Sequence, residues 1–165
     1  YSTDTNEKIK GVNFMIFEPI TGELIPAALE IVNSNPDYNI LENGNPLRTV
    51  EEVRLEFLNS KTDCFLVILE NKTVGIIDFL ENNPRDNYPW IGLFMLHGDY
   101  HGKGYGKKVY FSLEEKLKQK KFNCVRIGVL QKNVNALEFW KSLGFRFYGN
   151  NEWEGKVVDC FEKYF

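Results

Sequence analysis

The sequence predicts an α/β (α+β) domain on a mixed central sheet of about seven strands with about four helices. Three observations carry that reading. Strand-like and helix-like runs interleave along the chain. Three strand runs follow one another between residues 63 and 96 with no helix among them. Three glycines, at 102, 104 and 106, stand where the last of these runs passes into a stretch of helical periodicity. Sequential strands joined by short turns pair antiparallel, whereas a strand, a helix and a strand in succession make a parallel crossover, so the sheet is mixed.

The elements follow in order. "VNFMIFEP" reads as a first strand, and "TGELIPAALEIVNS" places Leu24, Ala27, Ala28 and Ile31 on one helical face with Thr21 as its cap. "NPDYNILENGNP", residues 35–46, is dense in Asn, Pro and Gly and reads as a long functional loop. "TVEEVRLEFLNS" opens with a Thr49–Glu52 capping box and sets Val50, Val53, Phe57 and Leu58 on one side of a second helix. "DCFLVILENKTVGIIDFLEN" gives two strands around a turn, and "NPRDNYP" leads into the strand "WIGLFML". Tyr105, Val109, Leu113 and Leu117 recur every four residues, and lysines crowd the end of that helix, where its dipole favours them. "CVRIGVL" alternates as a strand. "NVNALEFWKSLGF" is a last helix capped by Asn133 or Asn135 and stopped near Gly144, and "RFYG" and "KVVDCFEKYF" close the sheet.

Composition narrows the function classes. The 165 residues suit one compact domain, and 43% apolar with 15% aromatic residues exclude disorder. Residues 1–11 are expected to be a flexible leader and 12–165 a single domain. A net charge of −3, from 20 basic and 23 acidic residues, leaves no footprint for nucleic acid. The apolar runs are too short to span a bilayer and no signal-peptide pattern opens the chain, so a cytoplasmic protein without membrane contact is expected. Cys64, Cys124 and Cys160 are odd in number and far apart, which suits a reducing compartment better than a disulfide framework, and Cys64 and Cys124, in strand-like runs, read as core thiols. His97 and His101 are four apart but lie in a turn, and with no zinc spacing around them no metal is expected.

"LHGDYHGKGYGKK", residues 96–108, is the densest motif. Its glycines let backbone amides approach a ligand, and a helix starting there adds unpaired N–H groups and a positive dipole end, which suits an anion. A dinucleotide fingerprint starting at Gly102 fails at Lys107, and no Ser or Thr completes a Walker loop. A glycine-rich connection that binds nothing is the other reading.

His101, Gly102, Lys103, Gly104, Tyr105 and Gly106 match the loop [QR]-x-x-G-x-[GA] except at its first position. Twenty-seven residues past Gly106, Asn133, Ala136, Phe139, Trp140, Gly144 and Phe145 fit N-x-x-A-x-x-F-[YW]-x-x-x-G-F. In these two blocks and in element order the chain resembles the GCN5-related N-acetyltransferases (GNAT) over nearly all of residues 12–165. The resemblance implies the GNAT-like acyl-CoA N-acyltransferase fold, with the fourth and fifth strands parallel and splayed. It implies acetyl-CoA as cosubstrate: pyrophosphate on the amides of 102–107, Lys103 and Lys107 near phosphates, and pantetheine along the backbone of Phe94, Met95 and Leu96. Asn133 would then reach the cofactor, and Ala136, Phe139 and Trp140 would line the thioester end. Asn133 also fits a plain helix cap, and Trp140 plain core packing.

Acetyl transfer to an alkyl amine needs a route for its proton, since the amine titrates near ~10. The resemblance implies a Glu or His on the fourth strand and a tyrosine acid in the second block. Those positions hold Trp90, Gly92 and Trp140 here. Asp78 and Glu81 are the carboxylates that topology brings nearest and are the catalytic candidates. His97, Tyr100 and Tyr148 are further titratable groups. With no activated cysteine, the resemblance implies an acetyl-CoA-dependent N-acetyltransferase acting on a small-molecule primary amine by direct attack in a ternary complex, as a monomer or homodimer. The acceptor is expected between 35–46 and the hairpin at 78–90, drawn by Asp37, Glu42, Asp78, Glu81 and Asp86. A non-catalytic acyl-CoA-binding module and transfer to a protein or peptide amine are the alternatives.

Overall fold

The computed structural model describes residues 15–165; the expected leader at 1–11 and residues 12–14 lie outside the described residues. Seven strands form one sheet: β1 (Met15–Pro19), β2 (Asp63–Leu69), β3 (Lys72–Leu80), β4 (Trp90–Leu96), β5 (Cys124–Leu130), β6 (Arg146–Trp153) and β7 (Lys156–Tyr164), in the spatial order β1-β2-β3-β4-β5-β7-β6. All neighbours are antiparallel except β4 and β5, which are parallel. The mixed sheet read from the sequence is therefore the observed one.

The described residues hold five α-helices: α1 (Ile25–Asn33), α2 (Pro36–Asn43), α3 (Val50–Phe57), α4 (Tyr105–Gln119) and α5 (Val134–Ser142). The fifth is α2, which replaces the expected loop. Pro36 sits in its first turn, where a missing N–H is harmless, and Gly44 ends it at φ +85°. Between them the helix carries no apolar stripe, so tertiary bonds hold it. Buried Asn39 donates from Nδ2 to the carbonyls of Val32 and Pro46, both at 2.9 Å. Buried Arg48 reaches Asn43 Oδ1 at 2.6 Å and Glu42 Oε2 at 3.0 Å.

The Thr49–Glu52 capping box is present at the start of α3, where Val53 and Phe57 are buried. Val50 and Leu58, expected beside them, are exposed because α3 has only its 53–57 flank against the sheet. Thr21 makes no cap bond, since a 3-10 turn at Gly22–Leu24 intervenes before α1.

Two apolar layers cover the sheet. Val109, Tyr110, Leu113 and Leu117 of α4 pack with Trp140 on one face, over Val125, Ile127 and Val129. Ile25, Ala28, Ile31 and Val32 of α1 pack with Val53 and Phe57 on the other, over Leu66, Ile76 and Met95. Each fully buried Val, Leu, Ile or Phe side chain among them contributes about 1.5–3 kcal/mol. The period of two along β5 sends Val125, Ile127 and Val129 to the α4 face and leaves Arg126 and Gly128 on the opposite face.

Candidate active site

β4 and β5 pair only at Trp90–Arg126 and Ile91–Ile127, and beyond Ile91 they diverge. The β5-facing backbone groups of β4 are thus left without a ladder, and such groups need other partners. The Leu96 carbonyl finds two, Asn35 Nδ2 and His101 Nε2, each at 2.9 Å. Below the divergence a bulge opens the β3–β4 ladder: Asp78 faces Leu93 while Phe79 faces Ile91, so Gly92 is the extra residue. An open cleft of about 1110 Å³ runs through this gap. Leu93, Phe94, Met95 and Leu96 line it on β4, Gly128 and Val129 on β5, and α2, α3 and the β6–β7 hairpin wall its far end.

The expected cofactor residues divide into those at the cleft and those at its rim. Phe94, Met95, Leu96, His101, Asn133, Ala136 and Trp140 line it. Asn133 caps α5, its Oδ1 accepting the Ala136 N–H at 3.3 Å, and its Nδ2 has no partner among the described residues. Trp140 is buried, edge-on to Phe94, Tyr110, Phe139 and Phe145, so it is mainly a packing residue with one edge at the cleft. Phe139 does not line the cleft; its ring lies under Gly106, where an added Cβ would meet it at 3.1 Å.

The turn 102–107 also lies outside the cleft lining. Gly102 and Gly104 adopt φ +70° and +83°, with open space where a side chain would stand. Lys103 donates to the Asp99 carbonyl at 3.0 Å, and Lys107 is exposed. Lys108 N–H bonds back to the Gly104 carbonyl at 3.4 Å; the amides of Tyr105, Gly106 and Lys107 precede it in the first turn of α4 and have no intrahelical acceptor.

At the far end, Asp37, Glu42 and Asp86 line the cleft, whereas Asp78 and Glu81 do not. Glu81 follows the last residue of β3 and lies 3.7 Å from Lys120 at the end of α4, which draws it to the other side of the sheet. Asp78 stands behind Gly92, whose missing Cβ would lie 3.5 Å from its Cγ, and its Oδ1 is buried without a partner. Burial pushes the Asp78 carboxyl above the usual carboxylate value.

The sequence reading missed Glu56. This half-buried residue of α3 lines the cleft; its backbone carbonyl accepts from Asn59 Nδ2 at 2.8 Å, but its carboxylate has no hydrogen-bond or ion-pair partner among the described residues. Burial first, then the charges of Glu42 and Asp78, push it up to about 7. The available signal was its place three residues after Val53 and one before Phe57, on the flank of the apolar stripe.

Arg126 was also missed. Its guanidinium lies 3.6 Å from the Tyr88 ring and 4.4 Å from the Tyr148 ring, and it pairs with Asp86 at 3.1 Å and Glu162 at 3.0 Å. Trp90 Nε1 donates to the same Asp86 oxygen at 2.8 Å. Asp86 is therefore neutralised, whereas Glu56 is not.

Tyr148 lines the cleft, and burial holds its hydroxyl protonated far into alkaline pH. Tyr100 instead packs edge-on to His97 and Tyr105. His97 lies 3.6 Å from Glu30 and 3.7 Å from Asp99, and neither it nor Tyr100 lines the cleft. All three cysteines are buried; Cys160 reaches the cleft, but burial raises its pKa, and Cys64 is pushed up to about 12. A thiol held protonated is a poor nucleophile.

Comparison with known proteins bears on this geometry. A family model described as the acetyltransferase (GNAT) family matches residues 30–145. The spermine/spermidine N(1)-acetyltransferase of Bacillus subtilis (strain 168) is 27% identical over 86 residues, covering 51% of this chain and 56% of that protein. The chain thus spans about half the length of the curated relatives it matches. Among solved structures, an acetyltransferase from Thermus thermophilus aligns with a TM-score of 0.78 at 20% identity, over 92% of this chain and 97% of that one. A ribosomal L7/L12 alpha-N-protein acetyltransferase in complex with coenzyme A aligns with a TM-score of 0.72 at 15% identity, over 91% and 93% of the two chains. At these identities the solved structures speak for the fold.

Proposed function

We propose that this chain, which belongs to the acetyltransferase (GNAT) family, moves an acetyl group from acetyl-CoA to a primary amine of a small cationic molecule by direct attack in a ternary complex. The carrying observation is the divergence of β4 and β5 past Ile91, which leaves strand-edge groups of β4 facing a cleft that reaches a carboxylate-lined end. An extended, amide-rich arm is the partner such an edge accepts. Acetyl-CoA, when bound, supplies a thioester, an acyl group activated toward amines.

The residues present suit that cosubstrate. The free amides of Tyr105, Gly106 and Lys107 form an anion site at the α4 N-terminus for its pyrophosphate. Open space at Gly102 and Gly104 lets a ligand reach the backbone. Asn133 Nδ2 is a free donor at the cleft, and Phe94 to Leu96 supply the strand edge. Holding amine and thioester together supplies much of the acceleration by proximity.

For the acceptor, Asp37, Glu42 and Glu56 give the far end an acidic lining, and Tyr38, Trp90 and Tyr148 add aromatic surface. Carboxylates and aromatic faces both attract ammonium groups. The Bacillus relatives are named for spermine and spermidine, so these polyamines head the panel to be tested.

The test pairs calorimetry with turnover. Wild-type protein is expected to bind acetyl-CoA, and Gly104→Val, which places a β-branched residue at φ +83° beside the amides, to bind it at least about tenfold more weakly while still melting cooperatively. Steady-state assays would run spermine, spermidine, monoalkylamines and a peptide amine against acetyl-CoA. Release of CoA with a small amine supports the reading. Binding without turnover of any acceptor makes the chain an acyl-CoA-binding module, and turnover of the peptide alone moves the acceptor to protein.

A further inference from the structure

We infer that Glu56 takes the proton from the acceptor ammonium, with Asp78, behind Gly92, as a like charge near it; this rests on the acetyl-transfer reading above. The observation behind it is that Glu56 is a half-buried carboxylate lining the cleft with no ion pair among the described residues.

The other acidic groups at that end are already engaged or out in solvent. Asp86 is bonded to Arg126 and Trp90. Glu42 is paired with Arg48 at 3.0 Å. Asp37 is exposed on the first turn of α2, and Glu152 is exposed on the edge strand β6. β4 itself offers no acid or base between Trp90 and Leu96. Among the described residues, Glu56 alone combines partial burial and access to the cleft with a carboxylate that forms no ion pair.

The surroundings keep it so. Tyr38 and Glu42 face Glu56 from α2, Asp78 from β3, Arg48 from the α2–α3 connection, and Glu52 lies on its own helix. Of these only Arg48 is cationic, and its guanidinium is bonded to Glu42, Asn43, Asn45 and Asn39. Asp78, with one oxygen buried and unpartnered behind the side-chain-less Gly92, adds negative potential from the floor. Both effects, with burial leading, favour the protonated form of Glu56 and bring it to about 7. A general base works best with a pKa near the operating pH.

The step balances simply. An ammonium R–NH3⁺ gives one proton to the Glu56 carboxylate and becomes R–NH2. The nitrogen lone pair forms the C–N bond to the thioester carbonyl carbon as the C–S bond breaks. The second nitrogen proton passes, directly or through water, to the departing sulfur, which leaves as the free thiol, and the third stays on the amide nitrogen. Glu56 returns its own proton to solvent before the next turnover.

The experiment compares wild type, Glu56→Gln and Asp78→Asn, using acetyl-CoA calorimetry and the pH profile of kcat/KM with the fastest amine of the panel. Wild type is expected to rise with pH through about 7 and then level, because the base must be unprotonated. Glu56→Gln is expected to hold acetyl-CoA with unchanged affinity and to lose about 10²–10³-fold in kcat/KM at pH 7.5. Its residual rate should keep climbing toward the amine's own pKa of about 10, where neutral amine is supplied without a base. Asp78→Asn removes a like charge and should move the wild-type midpoint to lower pH.

Wild-type rates and profile in Glu56→Gln would overturn the inference. Should that variant fail to bind acetyl-CoA, an unmoved midpoint in Asp78→Asn overturns it instead. Should wild type acetylate no amine while binding acetyl-CoA, the acetyl-transfer reading falls and this inference with it.

Discussion

Glu56 and Arg48 are neighbours of opposite charge, both drawn out of water, with opposite outcomes. Arg48 is enclosed by acceptors and pairs with Glu42. Glu56 faces acids and an open cleft, so in the folded protein its charge is disfavoured and its pKa rises from 4.5 to about 7. The sign for stability follows. Between those values the folded state binds more protons than the unfolded one, so stability falls as pH rises from about 4.5 to 7 and stays lower above that. Glu56→Gln removes the penalty. Urea unfolding should show the variant more stable than wild type by about 1–3 kcal/mol at pH 8, with the gap closing near pH 4.5. Equal stabilities at pH 8 would mean that the carboxylate is solvated. At the same scale the glycine turn was only half legible. Gly102 and Gly104 take positive φ with open space beside them, as a ligand-approach reading requires, but Gly106 is small because the Phe139 ring lies 3.1 Å from where its Cβ would be. Spacing along the chain reveals the first reason and not the second, which depends on α5 packing across α4.

Elements were legible where one local pattern decides them. β2, β3 and β5 alternate or run apolar, and α3 announces itself by a capping box whose two bonds are both formed; β6, mostly exposed and polar past Gly149, was legible only as far as that glycine. α2 was not legible, because its eight residues have no stripe to bury and its Asn, Pro and Gly content is that of a loop. What makes it a helix is distant in sequence: Asn39 reaching back to Val32, and Arg48 returning from the far side of the turn. The acidic end of the cleft was hard to read for the same reason. Asp37 and Glu42 point there because α2 is helical, and Glu56 because α3 lies beside it. Arg48→Ala should therefore act on both stability and the site. Removing the guanidinium leaves Glu42 without its ion pair and takes from Asn43 Oδ1 one of its two donors, a loss of about 2–4 kcal/mol. Amides of 37–43 should then exchange with solvent faster while those of β2 and β3 fall only with global stability. Uniform loss across the protein would show that α2 is not held locally.

For the molecule as a whole, the sheet is two structures joined at one point. β1 to β4 form an antiparallel half, β5 to β7 another, and only Trp90–Arg126 and Ile91–Ile127 join β4 to β5. α4 and α5, packed over β5 with Phe161 of β7 in the same layer, bind the halves together on one face, so the gap beyond Ile91 stays open without the fold separating. On the other side of the cleft, Lys156 Nζ of β7 donates to the Glu42 carbonyl of α2 and so links the second half of the sheet to α2. A ligand that completes the β4 edge would restore the missing ladder bonds, and ordering should appear only where bonds are missing. Hydrogen exchange with and without acetyl-CoA tests this directly. Protection is expected at β4 residues past Ile91, at the amides of 105–107 and at the start of α5, while β1, β2 and β6 exchange as before except for the uniform gain that any bound ligand confers. An amine added with CoA should protect residues of α2 and α3 instead, since the acidic end lies there. Protection by acetyl-CoA centred on α2 and α3, with β4 unchanged, would reverse the two ends of the cleft and with them the roles assigned to Asn133 and Glu56.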